Sequence, residues 1–235
     1  MREVSNAPAD TRMMGIVHSA LRRDLERSRV VLTAGIVLDA RRAVLAEHLI
    51  WMMDFLHHHH EGEDTGLYPL VRAKDATLGR ILDSMNSEHE AIVPAMNEVT
   101  LAAQSWAQDA TATPRVLAAI EALNVVLGPH LKHEEEEMMP LVQTVVNERE
   151  WHDWDQAMNV GPKSKQQLAF EGHWLIDNAT ADDRNTVIHV VPPVPRFFLL
   201  NFMGGAYRKR RAALWDGTAA VDVPPLTLAE LAKRE

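Results

Sequence analysis

The chain has 235 residues, 46% hydrophobic and 24% charged, a balance that suits a soluble globular protein and excludes global disorder. It contains no cysteine, which excludes disulfides, thiolate metal sites, iron–sulfur clusters and a cysteine nucleophile, so any metal must be held by histidine and carboxylate. A formal net charge of −9 argues against bulk nucleic-acid binding, which needs a basic face, although Arg208-Lys209-Arg210-Arg211 forms one local basic run.

Met1 to Met14 lacks the apolar stretch of a secretory signal, and no window reaches the roughly 18 apolar residues of a spanning helix, so a cytoplasmic location is expected. Between Asp10 and about Val146 the apolar residues recur at spacings of three and four, the helical period, in four stretches. The first carries Met14, His18, Leu21, Leu25 and Leu32 on one stripe, with Asp10 or Thr11 as cap. The second runs from about Asp39 to Ala73, with Leu45, Leu49, Met52, Leu56, His59, Glu63, Leu67 and Leu70 in register. After a turn near Lys74 to Thr77, the third has Leu78, Leu82, Met85, His89, Ile92, Met96 and Val99, with a kink expected at Pro94. The fourth begins near Pro114 and carries Val116, Ile120, Leu123, Leu127, His130, Glu134, Met138, Leu141 and Val145. Four amphipathic helices with short connections predict an all-α fold, an antiparallel four-helix bundle over residues 10–150.

Beyond Trp151 proline and tryptophan become frequent and the helical segments shorten, which predicts a helical extension over 151–235, packed on the bundle and partly disordered at its tail. Its helices are expected at Ser164–Asn178, from Ala181 behind a Thr180/Asp183 capping box, from Val194 to Leu214, and from Thr227 with Glu230 as partner. Phe197 to Ala206, apolar and followed by Tyr-Arg-Lys-Arg-Arg, has the make-up of a membrane-surface helix over 197–211. The favoured reading docks it on an apolar face of the bundle, its basic end in water and Trp151, Trp154, Trp174 and Trp215 filling the same seam.

Twelve histidines is a high count, and seven of them lie within residues 48–130. Two segments share a pattern. His59-His60-Glu61-Gly62-Glu63 leads to Pro69, and His130-Leu131-Lys132-His133-Glu134 leads to Pro140. In each, a histidine is followed four residues later by glutamate and six further on by proline, so imidazole and carboxylate project from one helix face. His18 and His89 add a ligand from each of the other two helices. A glutamate on a core stripe loses several kcal/mol of solvation unless paired, and a dication restores it. Neutral imidazoles with bridging carboxylates suit a pair of borderline ions such as iron.

The run His57 to His60 is internal and embedded in a helical pattern, unlike a tag, and at most two of its members reach one site. His60/Asp64 occupies a nearly equivalent stripe, and only the shared proline offset selects His59/Glu63; His133/Glu137 competes in the same way with His130/Glu134. Of the acidic run Glu134 to Glu137, only Glu134 is expected to face inward. His173 and Asp177 repeat the spacing once and are read as a surface or structural pair. A ferritin-like site uses Glu-x-x-His, which occurs nowhere in the chain.

The set His18, His59-x-x-x-Glu63, His89, His130-x-x-x-Glu134 resembles haemerythrin and the related HHE cation-binding domains over about residues 13–146. The resemblance implies a non-haem di-iron centre, two iron ions with a bridging oxo or hydroxo group, held by those six residues. Oxygen-carrying haemerythrins place His-x-x-x-His on the third helix, whereas here His89 is followed four residues later by Val93, leaving His60 or His133 to replace the missing imidazole. That departure favours redox turnover over reversible oxygen carriage. The expected ligands are peroxide, dioxygen and nitric oxide, with catalase-like oxidoreductase activity set against a carrier, store or sensor.

Overall fold

The computed structural model describes residues 5–35 and 37–233. Helix α1 spans Arg12–Thr33. Helix α2 is continuous over 39–74, made of Asp39–Gly62, a π-helical turn at Glu63–Leu67 and Tyr68–Lys74. Helix α3 spans Gly79–Gln108, and α4 runs over 113–145 as Thr113–His133, a π-helical turn at Glu134–Met138 and Met139–Val145. The connections from α2 to α3 and from α3 to α4 are single 3₁₀ turns opened by Asp75 and Asp109, whose carboxylates accept from the backbone N–H of Thr77 and Thr111. Helix α3 packs along α2 and α4, and α4 against α1. No strand occurs among the described residues; Pro8 and Asn147 form one isolated bridge.

Two local features depart from the simple apolar period. Helix α3 passes through Pro94 without interruption. The two π turns fall at equivalent places, each opening on a motif glutamate and ending two residues before a motif proline, where the N–H of Tyr68 bonds the Glu63 carbonyl and that of Met139 bonds the Glu134 carbonyl. Proline has no N–H for the carbonyl four residues back and its ring crowds that carbonyl, so the turn ahead of it widens. Helix α4 with its preceding turn, 110–145, also contains a window of mean hydropathy 1.3, long and apolar enough by composition to cross a membrane, contrary to expectation. Its Val116, Ile120, Leu123 and Leu127 are nevertheless committed to the core, with histidine and four glutamates following.

The interior is divided. One apolar cluster takes Leu21 and Leu25 from α1, Leu45 to Leu56 from α2, Ile92 to Trp106 from α3 and Val116 to Leu131 from α4. A second takes Met14, Leu67, Tyr68, Val71, Leu82, Met85, Met138 and Val142. On α1, α2 and α3 the motif residues 18, 59–63 and 89 fall between the two clusters, and on α4 residues 130–134 straddle the end of the first at Leu131. The bundle therefore has a polar layer between two apolar ones.

The extension begins with α5 (Glu148–Asp155), capped by an Asn147/Glu150 capping box, and a third π turn at Gln156–Val160. Trp154 fits against Gly66 so closely that a Cβ there would lie 2.7 Å from its ring, and its indole N–H donates to the Gly62 carbonyl. Helices α6 (Lys165–Ile176), behind a Ser164/Gln167 capping box, and α7 (Ala181–Val190) lie where the sequence puts them. The expected single helix over 194–214 is two, α8 (Pro193–Phe202) and α9 (Gly205–Trp215), because the Gly204-Gly205 pair interrupts it. A last turn, α10, spans Leu228–Leu231, with Thr227 accepting from the Glu230 N–H. The expected disorder of the tail concerns in part residues 234–235, which lie outside the described residues.

Two expectations for the extension are corrected. The tryptophans fill separate seams, Trp174 and Trp215 in the first cluster and Trp151 and Trp154 at the second. The phenylalanines of α8 do not dock on the bundle: Phe197, Phe198 and Phe202 are exposed. Besides the apolar contacts of Trp174, Tyr207, Leu214 and Trp215, a buried polar network joins these later helices to α1 and α2. Buried Asp24 of α1 accepts from Arg23, Arg27, His48 and the Trp174 indole, while Asp177 accepts from Arg27, Arg211 and the Tyr207 hydroxyl. Asp177 is thus structural, but not paired with His173, which bonds the Ala169 carbonyl of its own helix.

Candidate metal centre

The polar layer gathers two trios of side chains, each with its ligand atoms within 4.8 Å of one another: His60, His89 and His130 in one, His18, His59 and Glu134 in the other. All six are buried, as is Glu63. Glu63 stands between the trios, Oε1 3.2 Å from His59 Nε2 and Oε2 3.5 Å from His89 Nε2. Within the second trio His18 Nε2 lies 3.2 Å from His59 Nε2 and 3.3 Å from Glu134 Oε2. His60 stacks on His89 with ring centroids 4.0 Å apart.

Both neighbours in the α2 histidine pair therefore point inward, one to each trio, and His57 and His58 remain exposed. Choosing His59 against His60 was a false alternative: residues 100° apart on one helix reach two points on either side of the axis when the site itself is that wide. His60 stands in one trio with His89, whose helix carries Val93 four residues further on. His133 stands outside both trios and is bonded to Glu88, and Glu137, 3.6 Å from it, is at the surface. Asp64 belongs to the site in another way, described next.

A surrounding set of carboxylates, of which the sequence offered only Asp64, and that as a partner of His60, holds the rings from behind. Glu135 accepts from His18 Nδ1 at 2.9 Å while taking an Arg22 bond at 2.7 Å; Asp64 accepts from His89 Nδ1 at 2.7 Å; Glu88 accepts from His130 Nδ1 at 3.0 Å and His133 Nδ1 at 2.8 Å. A proton held on Nδ1 leaves the Nε2 lone pair free and aimed inward. Each of these carboxylates lies one residue from a ligand candidate on the same helix, a signal too weak to find without coordinates. Glu135 also corrects the expectation that only Glu134 of its run faces inward. On the inner side the Tyr68 hydroxyl donates to Glu134 Oε1 at 3.1 Å.

The electrostatics agree. Burial, then the nearby His18, depresses His59 to about 3, and burial with the other rings holds His60 and His130 below the ordinary value. Burial and the proximity of Glu134 push Glu63 well up; Glu134 is held down because the His18 contact outweighs its own burial. The layer thus holds His59, His60 and His130 toward the neutral form and makes Glu63 hard to ionise, while burial of His18 is outweighed by its Glu134 and Glu135 contacts, which raise it.

The buried atoms His60 Nε2, His89 Nε2, His130 Nε2, Glu134 Oε2 and both oxygens of Glu63 have no hydrogen-bond partner. Buried polar atoms cost 1–3 kcal/mol each when unsatisfied, and so many in one layer fit a cationic partner common to them all. Nitrogen with carboxylate oxygen and no sulfur is the donor set of iron, manganese or zinc. An open cleft of about 400 Å³, lined by Glu88, Ala91, Val125, Val126, Pro129, His130 and His133, reaches the edge of the layer at His130.

A family model described as Hemerythrin HHE cation binding domain matches residues 11–142, which include every residue of both trios. No curated protein and no solved structure matches the chain.

Proposed function

The chain belongs to the haemerythrin HHE cation-binding family, and from that premise we propose that it is a di-iron protein that turns over peroxide. Its residues 10–150 act as an antiparallel four-helix bundle around the metal layer, with 151–235 as an extension packed on it. His60, His89 and His130 would hold one ion, His18, His59 and Glu134 the other, and Glu63 would serve both. The observation that carries this reading is the set of inward, buried nitrogen and oxygen atoms from α2, α3 and α4 that lack a hydrogen-bond partner, with His18 of α1 closing the second trio.

A bound iron pair supplies a two-electron couple and open positions for a small oxidant or gas, so that one peroxide can be oxidised to dioxygen while a second is reduced to water. The rest is the chain's work. Glu135, Asp64 and Glu88 keep the Nδ1 protons of His18, His89 and His130 in place. Tyr68 orients Glu134. The two apolar clusters exclude bulk water on either side, and the cleft beside His130 admits small molecules.

The test is iron-loaded protein mixed with hydrogen peroxide in an oxygen-electrode cell. Steady oxygen evolution, lost in His59→Ala, is expected. Absence of peroxide consumption, with a reversible spectral change on dioxygen or nitric oxide, would establish binding or sensing instead. That second reading is favoured by one observation: the helix carrying His18 also carries Arg23, Asp24 and Arg27, so the site and the extension share a rigid element.

Glu88→Ala is expected to lower iron affinity 10- to 100-fold in a chelator competition, because His130 loses the carboxylate that fixes its ring. An unchanged affinity would mean that packing alone orients His130.

A further inference from the structure

Residues 184–215 contain six cationic side chains, Arg184, Arg196, Arg208, Lys209, Arg210 and Arg211, and no aspartate or glutamate, in a chain of net charge −9. The same stretch carries Phe197, Phe198 and Phe202, 56%, 53% and 68% exposed, whose ring centroids lie 5.7–6.0 Å apart in one mutual cluster. Val194 and Met203 extend the patch toward the two ends of α8. On the inner side of the helix Leu199 and Leu200 are half-buried, Leu200 against the cluster of Ile16, Ile176 and Val187. Helix α8 is therefore apolar on both sides, and only one side is covered. A contiguous exposed aromatic patch on such a helix marks a surface that meets something less polar than water.

The charges beside it identify the class of partner. Arg211 is engaged by Asp177 and Asp216, and Arg210 reaches Glu47 and lies over the Phe170 ring. Arg208 and Lys209 are exposed and make no ion pair or hydrogen bond among the described residues. The Arg208 guanidinium folds back to where a Cβ on Gly204 would sit, next to Met203 at the end of the patch. Free cations thus border the aromatic cluster, the arrangement of helices that lie in a membrane interface with aromatic rings in the acyl boundary and basic groups among lipid phosphates. Ten residues rise only about 15 Å, so α8 lies along such a surface rather than through it.

We infer that α8 and the start of α9 form a docking face for an anionic lipid surface, with Phe197, Phe198 and Phe202 inserting and Arg208 and Lys209 meeting the headgroups. A second copy of the chain fits less well: a twofold contact through this face would bring both sets of cations into one interface with no acid in 184–215 to neutralise them. Nucleic acid fits less well too, because Phe197 packs edge-on to both Phe198 and Phe202, which tilt against each other, so the rings form a cluster rather than separate faces for stacking bases.

The test is co-sedimentation of the full chain with vesicles of phosphatidylcholine alone and of phosphatidylcholine mixed with phosphatidylglycerol. Binding to the mixed vesicles, about tenfold weaker or more on the neutral ones and weakened by salt, is expected. The triple change Phe197→Ser, Phe198→Ser, Phe202→Ser should abolish it, and Arg208→Gln with Lys209→Gln should weaken it about tenfold. Circular dichroism and metal content should be unchanged in both variants, since the replaced side chains are exposed. Equal binding to neutral and anionic vesicles, binding that survives the serine variant, or no vesicle binding at all would overturn the proposal. So would self-association in sedimentation equilibrium that the serine variant removes, which would assign the face to a second copy.

Discussion

A Glu63→Ala, Glu134→Ala variant, expressed with ample iron, is expected to retain no tightly bound metal while remaining folded. Glu63 faces His59 and His89 with separate oxygens, and Glu134 belongs to the other end of the same layer, so the pair removes the two fully buried carboxylates that the layer has among the described residues. Its effect on stability has an informative sign. In the metal-free protein both oxygens of Glu63 and one of Glu134 are buried without a hydrogen-bond partner, so their removal relieves a desolvation cost and the metal-free variant should melt no lower than the metal-free parent. In the parent, iron at a thousandfold above its dissociation constant adds about 4 kcal/mol, and in the variant it adds nothing. Elemental analysis and melting curves with and without chelator read both effects. A parent that takes up no iron, or whose melting ignores chelation, would show the layer to be a metal-free polar core. Because burial already holds His59 at about 3, its imidazole is neutral at physiological pH and binds metal without first losing a proton.

Asp24→Ala is expected to destabilise the protein by about 3–5 kcal/mol, the cost of leaving buried cations without their counter-charge. Asp24 Oδ1 accepts from Arg23 Nε at 2.8 Å and Arg27 Nη1 at 3.2 Å, and Oδ2 accepts from His48 Nε2 and Trp174 Nε1, both at 2.9 Å. Arg23 and Arg27 are themselves buried. Asp24→Asn keeps the shape and loses the charge, and its loss should be smaller. Burial opposes ionisation of Asp24, but Arg23, His48 and Arg27 outweigh it and hold the group below its ordinary 3.8. The unfolded chain then takes up the proton first as the pH falls, so this contribution is whole above about pH 4 and drains away below it. Urea unfolding of parent and variants at neutral and acid pH measures the difference, which should shrink on acidification. Equal midpoints at neutral pH would mean that the extension is held by its apolar contacts alone.

The four long helices were legible because each repeats an apolar stripe over enough turns to exceed chance, and because turn residues separate them. The motif histidines and glutamates were legible for the same reason: they replace leucine on those stripes, where water cannot reach them. Helix ends in the extension could be read where a capping residue stands three positions from its partner, as at Thr180 and Thr227. Docking of α8 could not be read. Its sequence is apolar on all sides, and periodicity then carries no information about which side is covered.

Local order in the chain determined the helices, their apolar faces, and which types of side chain lie between the two apolar clusters. The tertiary structure alone decided that His59 and His60 serve opposite trios, that Glu63 stands between them, and that Asp64, Glu88 and Glu135 hold the rings from outside. It also decided that Asp24 and His48 belong to the seam with the extension. The physical reason is that helical spacing places a residue only on its own cylinder. Which atoms meet across the axis depends on how four cylinders are rotated and shifted against one another, and that is set by side-chain packing summed over the whole interior.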